Sequence, residues 1–95
     1  MGNAKIKTRR QVMLNTLKER LPDGLEIKKV KEKPSKYEIT FLIEGKDISG
    51  EMPKTCAPGF QNRVADLTIF NVMARNAIEN GDMETAKMWL DKSLL

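Results

Sequence analysis

The sequence has no histidine and a single cysteine, Cys56. Imidazole is the side chain whose ordinary pKa suits proton transfer near neutrality, so its absence removes most nucleophile–base pairs. The usual zinc-ligand sets cannot be assembled without it, and one thiol cannot form an internal disulfide. Cys56 stands in Thr55-Cys56-Ala57-Pro58-Gly59 with no imidazole to activate it, and reads as a half-buried loop thiol. The chain is therefore read as a non-enzyme that carries no metal and no cofactor.

Aromatic residues are also scarce, at 5%. Tyr37, Phe41, Phe60 and Phe70 fall on apolar faces, which assigns them to a core rather than to a base-stacking platform for single strands. No stretch approaches the roughly 20 apolar residues that cross a bilayer, and Met1 to Arg10 lacks the apolar run of a secretory signal. Ile6 stands where an N-terminal acylation pattern needs serine or threonine. The expectation is a soluble, cytoplasmic protein with no membrane partner. The six glycines are scattered, so no phosphate-cradling glycine loop is present.

What remains is ordinary for one globular domain: 95 residues, 40% of them apolar and 32% charged. The charge is unevenly placed. Residues 1–36 carry eleven Lys/Arg and four Asp/Glu, or +7, whereas residues 37–95 carry six and nine, or −3. A segment of +7 draws polyanions or an acidic protein face, although lysines on exposed strands also serve simply to keep a sheet soluble.

Thr8-Arg9-Arg10-Gln11 has the form of a capping box, and Met13, Leu14, Leu17 and Leu21 follow at helical spacing until Pro22 and Gly24. A helix is expected over about residues 9–21, preceded by a flexible basic tail over residues 1–7. Leu25 and Ile27 alternate with polar residues, but Val30 is out of phase, which predicts that the strand either bulges near Lys28-Lys29 or leaves the core there, with its second half exposed. Tyr37, Ile39, Phe41 and Ile43 alternate with Glu38, Thr40, Leu42 and Glu44 and mark the central strand. Glu44-Gly45-Lys46-Asp47 offers a tight turn into Ile48, Gly50 and Met52.

The apolar residues Phe60, Val64, Ala65, Leu67, Ile69, Phe70, Val72, Met73, Ala77 and Ile78 form a set wider than one stripe, so this long helix needs cover on two sides. Asn80-Gly81-Asp82 then closes one helix and caps the next, with Met83, Ala86, Met88, Trp89, Leu90 and Leu94 expected to pack back on the long helix. That hairpin makes a monomer the favoured reading, with a homodimer as the other way to cover the same face. The fold class is α+β: residues 8–95 as a single domain of helix, three-stranded antiparallel sheet, long helix on the sheet and C-terminal helix.

Over residues 8–79 this order resembles the double-stranded-RNA-binding domain. Pro34 in Lys33-Pro34-Ser35-Lys36 matches the proline of that family's loop between strands 1 and 2, and Gly50 in Ser49-Gly50-Glu51 matches a strand-3 glycine. The resemblance implies that the first helix and the strand 1–2 loop enter successive minor grooves, with basic residues at the entry to the long helix on the phosphates between them. The sequence departs from the family at Lys33, where glycine is expected, at the missing loop histidine, and at Phe60-Gln61-Asn62-Arg63-Val64, which replaces a lysine-rich entry. Lys54 and Arg63 alone remain near that place.

Two functions follow as expectations. One is a nucleic-acid-binding module that contacts backbone through Lys5, Lys7, Arg9, Arg10, Lys31, Lys33, Lys36, Lys54 and Arg63. The other is a small accessory or inhibitor protein, of the kind that phages encode, docking on an acidic surface of a larger protein or nucleoprotein complex.

Overall fold

The computed structural model describes residues 9–54 and 58–94. The basic tail, Thr8 of the capping box and Cys56 lie outside these residues, as does the side chain of Arg9. The element order is α1 (Arg9–Glu19), β1 (Leu25–Glu32), β2 (Lys36–Ile43), β3 (Lys46–Pro53), α2 (Pro58–Glu79) and α3 (Met83–Lys92). The strands form one antiparallel sheet in the order β1-β2-β3. This is the α+β architecture expected from the sequence.

β2 organises the core because both its edges are paired and its alternation is strict. Tyr37, Ile39, Phe41 and Ile43 are all buried on one face. Ile48 and Met52 of β3 join them, and Met13 and Leu17 of α1 with Ala65, Ile69 and Val72 of α2 close over the same face. Full burial of each large apolar side chain contributes roughly 1.5–3 kcal/mol before entropy is counted. Gly50 lies in this layer because nothing larger fits: a Cβ there would sit 2.9 Å from both Phe41 Cε1 and Val72 Cγ2.

The ladder between β1 and β2 slips between Ile27 and Lys29, leaving Lys28 as the extra residue of a bulge. The slip brings Ile27 and Val30, three apart, to the same face, where both pack on the core. Val30 is thus half-buried, whereas the second half of β1 was expected to be exposed; Lys31 and Glu32 are exposed as expected. Between β2 and β3, Glu44 (φ 52°) and Gly45 (φ 75°) form the two-residue turn. Left-handed backbone at both positions matches the twist of a tight hairpin.

α2 starts at Pro58, a residue suited to the first helical turn because its missing N–H would find no partner there. It is covered on two sides, by the sheet and by α3, as its wide apolar set requires. The link Asn80-Gly81-Asp82 behaves as expected: Gly81 takes φ 76°, the Asp82 amide donates to the Ala77 carbonyl, and the Asp82 carboxylate accepts from the Thr85 amide at 3.1 Å.

α3 covers less than its composition promises. Ala86 is its buried residue and Trp89 is half-buried, its ring 5.8 Å from that of Phe70. Met83, Met88, Leu90 and Leu94 are exposed, and so are Phe60 and Ile78 of α2. These six were assigned to packing from sequence. A ten-residue helix touches its neighbour along one line, and the apolar residues to either side of that line stay in solvent.

Candidate functional site

The excess of +7 in residues 1–36 does not survive folding intact, because carboxylates from the second half of the chain pair with cations of the first. Arg20 meets Asp66 at 2.6 Å, Lys28 meets Asp47 at 2.8 Å, Lys33 meets Glu38 at 3.9 Å and Lys36 meets Glu51 at 2.6 Å. Antiparallel pairing causes the last three, by setting the lysine-bearing β1, the loop after it and the start of β2 beside strands that carry acids, whereas Arg20–Asp66 comes from the packing of α1 on α2.

A different polarity appears, running along the sheet. At the β1–β2 loop, the Lys33 amide donates to the Lys36 carbonyl at 2.8 Å and the Lys54 amide to the Ser35 carbonyl at 3.1 Å. These bonds tie the loop to the exit of β3. Lys54 Nζ reaches Glu32 at 2.8 Å and sits 5.2 Å from the centre of the Tyr37 ring. Lys31 is paired across the ladder with Glu38, its side chain exposed and without an ion pair among the described residues. Arg10 lies close enough to Glu32 to help hold that carboxylate below its ordinary pKa, after the larger effect of the Lys54 hydrogen bond. The Glu51 hydrogen bond raises Lys36 above its ordinary value.

Of the nine expected contact residues, the fold therefore gathers Arg10, Lys31, Lys33, Lys36 and Lys54 at one end of the sheet. Against Glu32, Glu38 and Glu51 they leave a local charge of +2. Arg63 is engaged elsewhere, its guanidinium donating to the Ser93 carbonyl at the end of α3 (3.3 Å). Lys5 and Lys7 lie outside the described residues. Lys29 was not singled out from sequence: it follows the bulge, is exposed, and lines with Lys31, Thr40 and Ser49 a depression of about 290 Å³ on the outer sheet face. Locating it needs the bulge position, since one residue of slip decides which β1 lysines face outward.

The opposite end is acidic. Asp23, Glu44, Asp47, Glu79 and Asp82 gather there against Lys28 and Lys46, a local charge of −3. Asp23, Glu44, Asp82, Asn76, Asn80 and Trp89 line a groove of about 510 Å³ between the β2–β3 turn and the α2–α3 link. Glu44 Oε1 accepts from Asn80 Nδ2 at 2.9 Å and from Asn76 Nδ2 at 3.2 Å, and these two bonds lower its pKa. The Asn76 side-chain oxygen is buried with no hydrogen-bond partner. Leaving such an acceptor unpaired costs roughly 1–3 kcal/mol, which sets the position apart from ordinary packing.

Comparison with protein-family models, with curated proteins and with solved structures finds no match. The order of helix, three strands and helix does not by itself identify a double-stranded-RNA-binding domain. Among the described residues no helix is long and apolar enough to cross a membrane, and no group of three or more Cys, Asp or Glu is placed to hold a metal ion.

Proposed function

We propose that this chain is a non-enzymatic binding module whose lysine-rich end engages the phosphate backbone of a nucleic acid, double-stranded RNA being the ligand its element order resembles. The observation that carries this reading is the gathering of Arg10, Lys31, Lys33, Lys36 and Lys54 at one end of the sheet, with the surplus carboxylates at the other. Such a separation orients the molecule in the field of a polyanion and steers its approach. Lys33 and Lys36 are held in exposed pairs with carboxylates, which contribute only about 0–1 kcal/mol, so a phosphate can replace the carboxylate there at small cost; Lys54, 17% exposed, is held more firmly by Glu32.

Fluorescence-anisotropy titrations against matched double-stranded RNA, double-stranded DNA and single strands, each at two salt concentrations, test the reading. Contact by three to five of these cations gives a slope of log K against log salt between about −3 and −5 on duplex, and Lys31→Glu weakens binding roughly fivefold on every sequence. Binding that ignores both salt and the Lys31 reversal contradicts it.

A second reading rests on the same pairs. Alternating fixed charges such as Lys33–Glu38 and Lys36–Glu51 suit a protein face of complementary pattern, where charge arrangement sets register and specificity. In that case the end docks on an acidic surface of a larger protein, and all nucleic acids bind weakly in the titration.

A further inference from the structure

Folding leaves two lysines of the sheet without a carboxylate. Lys28, Lys33, Lys36 and Lys46 each meet an acid, as does Lys54 after β3, whereas Lys29 and Lys31 make no ion pair among the described residues. Both are exposed on the outer face of the sheet, opposite the core side that α1 and α2 cover, and both line the depression of about 290 Å³ there.

Strand register decides what stands beside them. Lys29 is opposite Thr40, and Thr40 is opposite Ser49, so the three form one row across the sheet. The rows on either side carry acids: Glu26, Leu42 and Asp47 make one, Lys31, Glu38 and Glu51 the other. Asp47 is held by Lys28, Glu38 by Lys33 and Glu51 by Lys36, which occupies three of these four carboxylates. The middle row has none.

Its hydroxyls are open as well. Thr16, Thr68, Thr85 and Ser93 donate theirs within the fold, whereas Thr40 and Ser49 bond nothing through their side chains among the described residues. Discouraging edge pairing accounts for lysines on β1, but not for two free hydroxyls beside them on β2 and β3. Two ammonium groups and two hydroxyls around an acid-free depression suit a tetrahedral oxyanion. Lysines act as point donors from several directions, which fits phosphate, whereas a planar carboxylate is matched by the guanidinium fork that this row lacks. The row lies four residues along β2 from Lys36, roughly 13 Å, and so forms a second seat beside the lysine-rich end.

We propose that Lys29, Thr40 and Ser49, together with Lys31, seat a backbone phosphate of the nucleic acid, so that the polymer runs from the β1–β2 loop across the outer face of the sheet. The inference rests on the nucleic-acid reading above and fixes the face that reading uses. That face is opposite α2, whereas the resemblance implies phosphate contacts at the entry to the long helix.

The test is an anisotropy titration of the full chain on one short duplex RNA over a range of salt concentrations. Lys29→Gln is expected to bind about threefold more weakly, with the slope of log K against log salt shallower by about 1. Thr40→Val/Ser49→Ala removes donors but no charge, and is expected to weaken binding about three- to tenfold with the slope unchanged. Lys87→Gln, exposed on α3, is expected to change neither quantity. Unchanged urea midpoints verify that each variant keeps its fold. Binding that weakens in Lys33→Gln/Lys36→Gln but in neither sheet-face variant overturns the second seat and leaves the lysine-rich end standing. An equal loss in Lys87→Gln and Lys29→Gln overturns the seat too, since it marks attraction by net charge alone. Absence of salt-dependent binding by the wild type overturns both readings.

Discussion

Individual side chains decide whether this small core closes. Gly50 is the clearest case, because a Cβ would press on Phe41 and Val72, two buried residues held by their own neighbours. Gly50→Ala is expected to destabilise the protein by about 1–2 kcal/mol despite alanine's lower unfolded-state entropy, read as a shift of the urea midpoint with the slope unchanged. Glu44 makes a second case. Its bonds from Asn80 and Asn76 lower its folded pKa beneath the unfolded value. Their stabilising effect is therefore present above about pH 4.5 and is lost as pH falls through the folded pKa. Glu32 and Asp82 are lowered too, by Lys54 and by Thr85, and act in the same direction. Thermal midpoints measured from pH 6 to pH 3 should fall, and fall less steeply in Glu44→Gln. An unchanged profile would remove Glu44 from this account. The Asp82 cap and the place of Gly50 in β3 were legible in the sequence, whereas the bonds to Glu44 were not, beyond Asn76 and Asn80 standing four apart.

Among the elements, β3 is the edge strand that most needs protection, since it presents unpaired carbonyls along its free side. α2 covers one of them with a side chain: Arg75 donates to the Ser49 carbonyl, whereas the Thr68 hydroxyl, 3.4 Å from the Glu51 carbonyl, donates its proton to the Val64 carbonyl at 2.9 Å. Removing this donor in Arg75→Ala should leave the monomer folded but raise its tendency to associate, seen as a concentration-dependent mass in light scattering. At the other helix, Asp82→Ala removes the cap of α3 and should cost about 1 kcal/mol, with hydrogen exchange quickened first in residues 83–92. The strands were legible from sequence because their period of two and the out-of-phase Val30 are local signals. The exposure of Phe60, Ile78, Met83, Met88, Leu90 and Leu94 was not. Apolar composition says how much a helix can bury, whereas the length and angle of its contact with a neighbour say how much it does.

For the molecule as a whole, the linear charge asymmetry of the sequence was a partial guide. It pointed to Arg10, Lys31, Lys33, Lys36 and Lys54, which the fold gathers, but it also counted Arg20 and Lys28, which Asp66 and Asp47 neutralise. Those pairings depend on strand register and helix packing, which no local pattern encodes. The acidic end could not be anticipated at all, because Asp23, Glu44 and Asp82 come from three separate links of the chain. The proposal that the lysine-rich end engages phosphate is tested most directly by amide chemical-shift mapping of the full chain against a short double-stranded RNA. The account predicts shifts at Arg10 and through residues 31–36 and Lys54 that diminish with added salt, and none at Glu44, Asn80 or Asp82. Shifts centred on the acidic end, or no shifts at all at low salt, would contradict it.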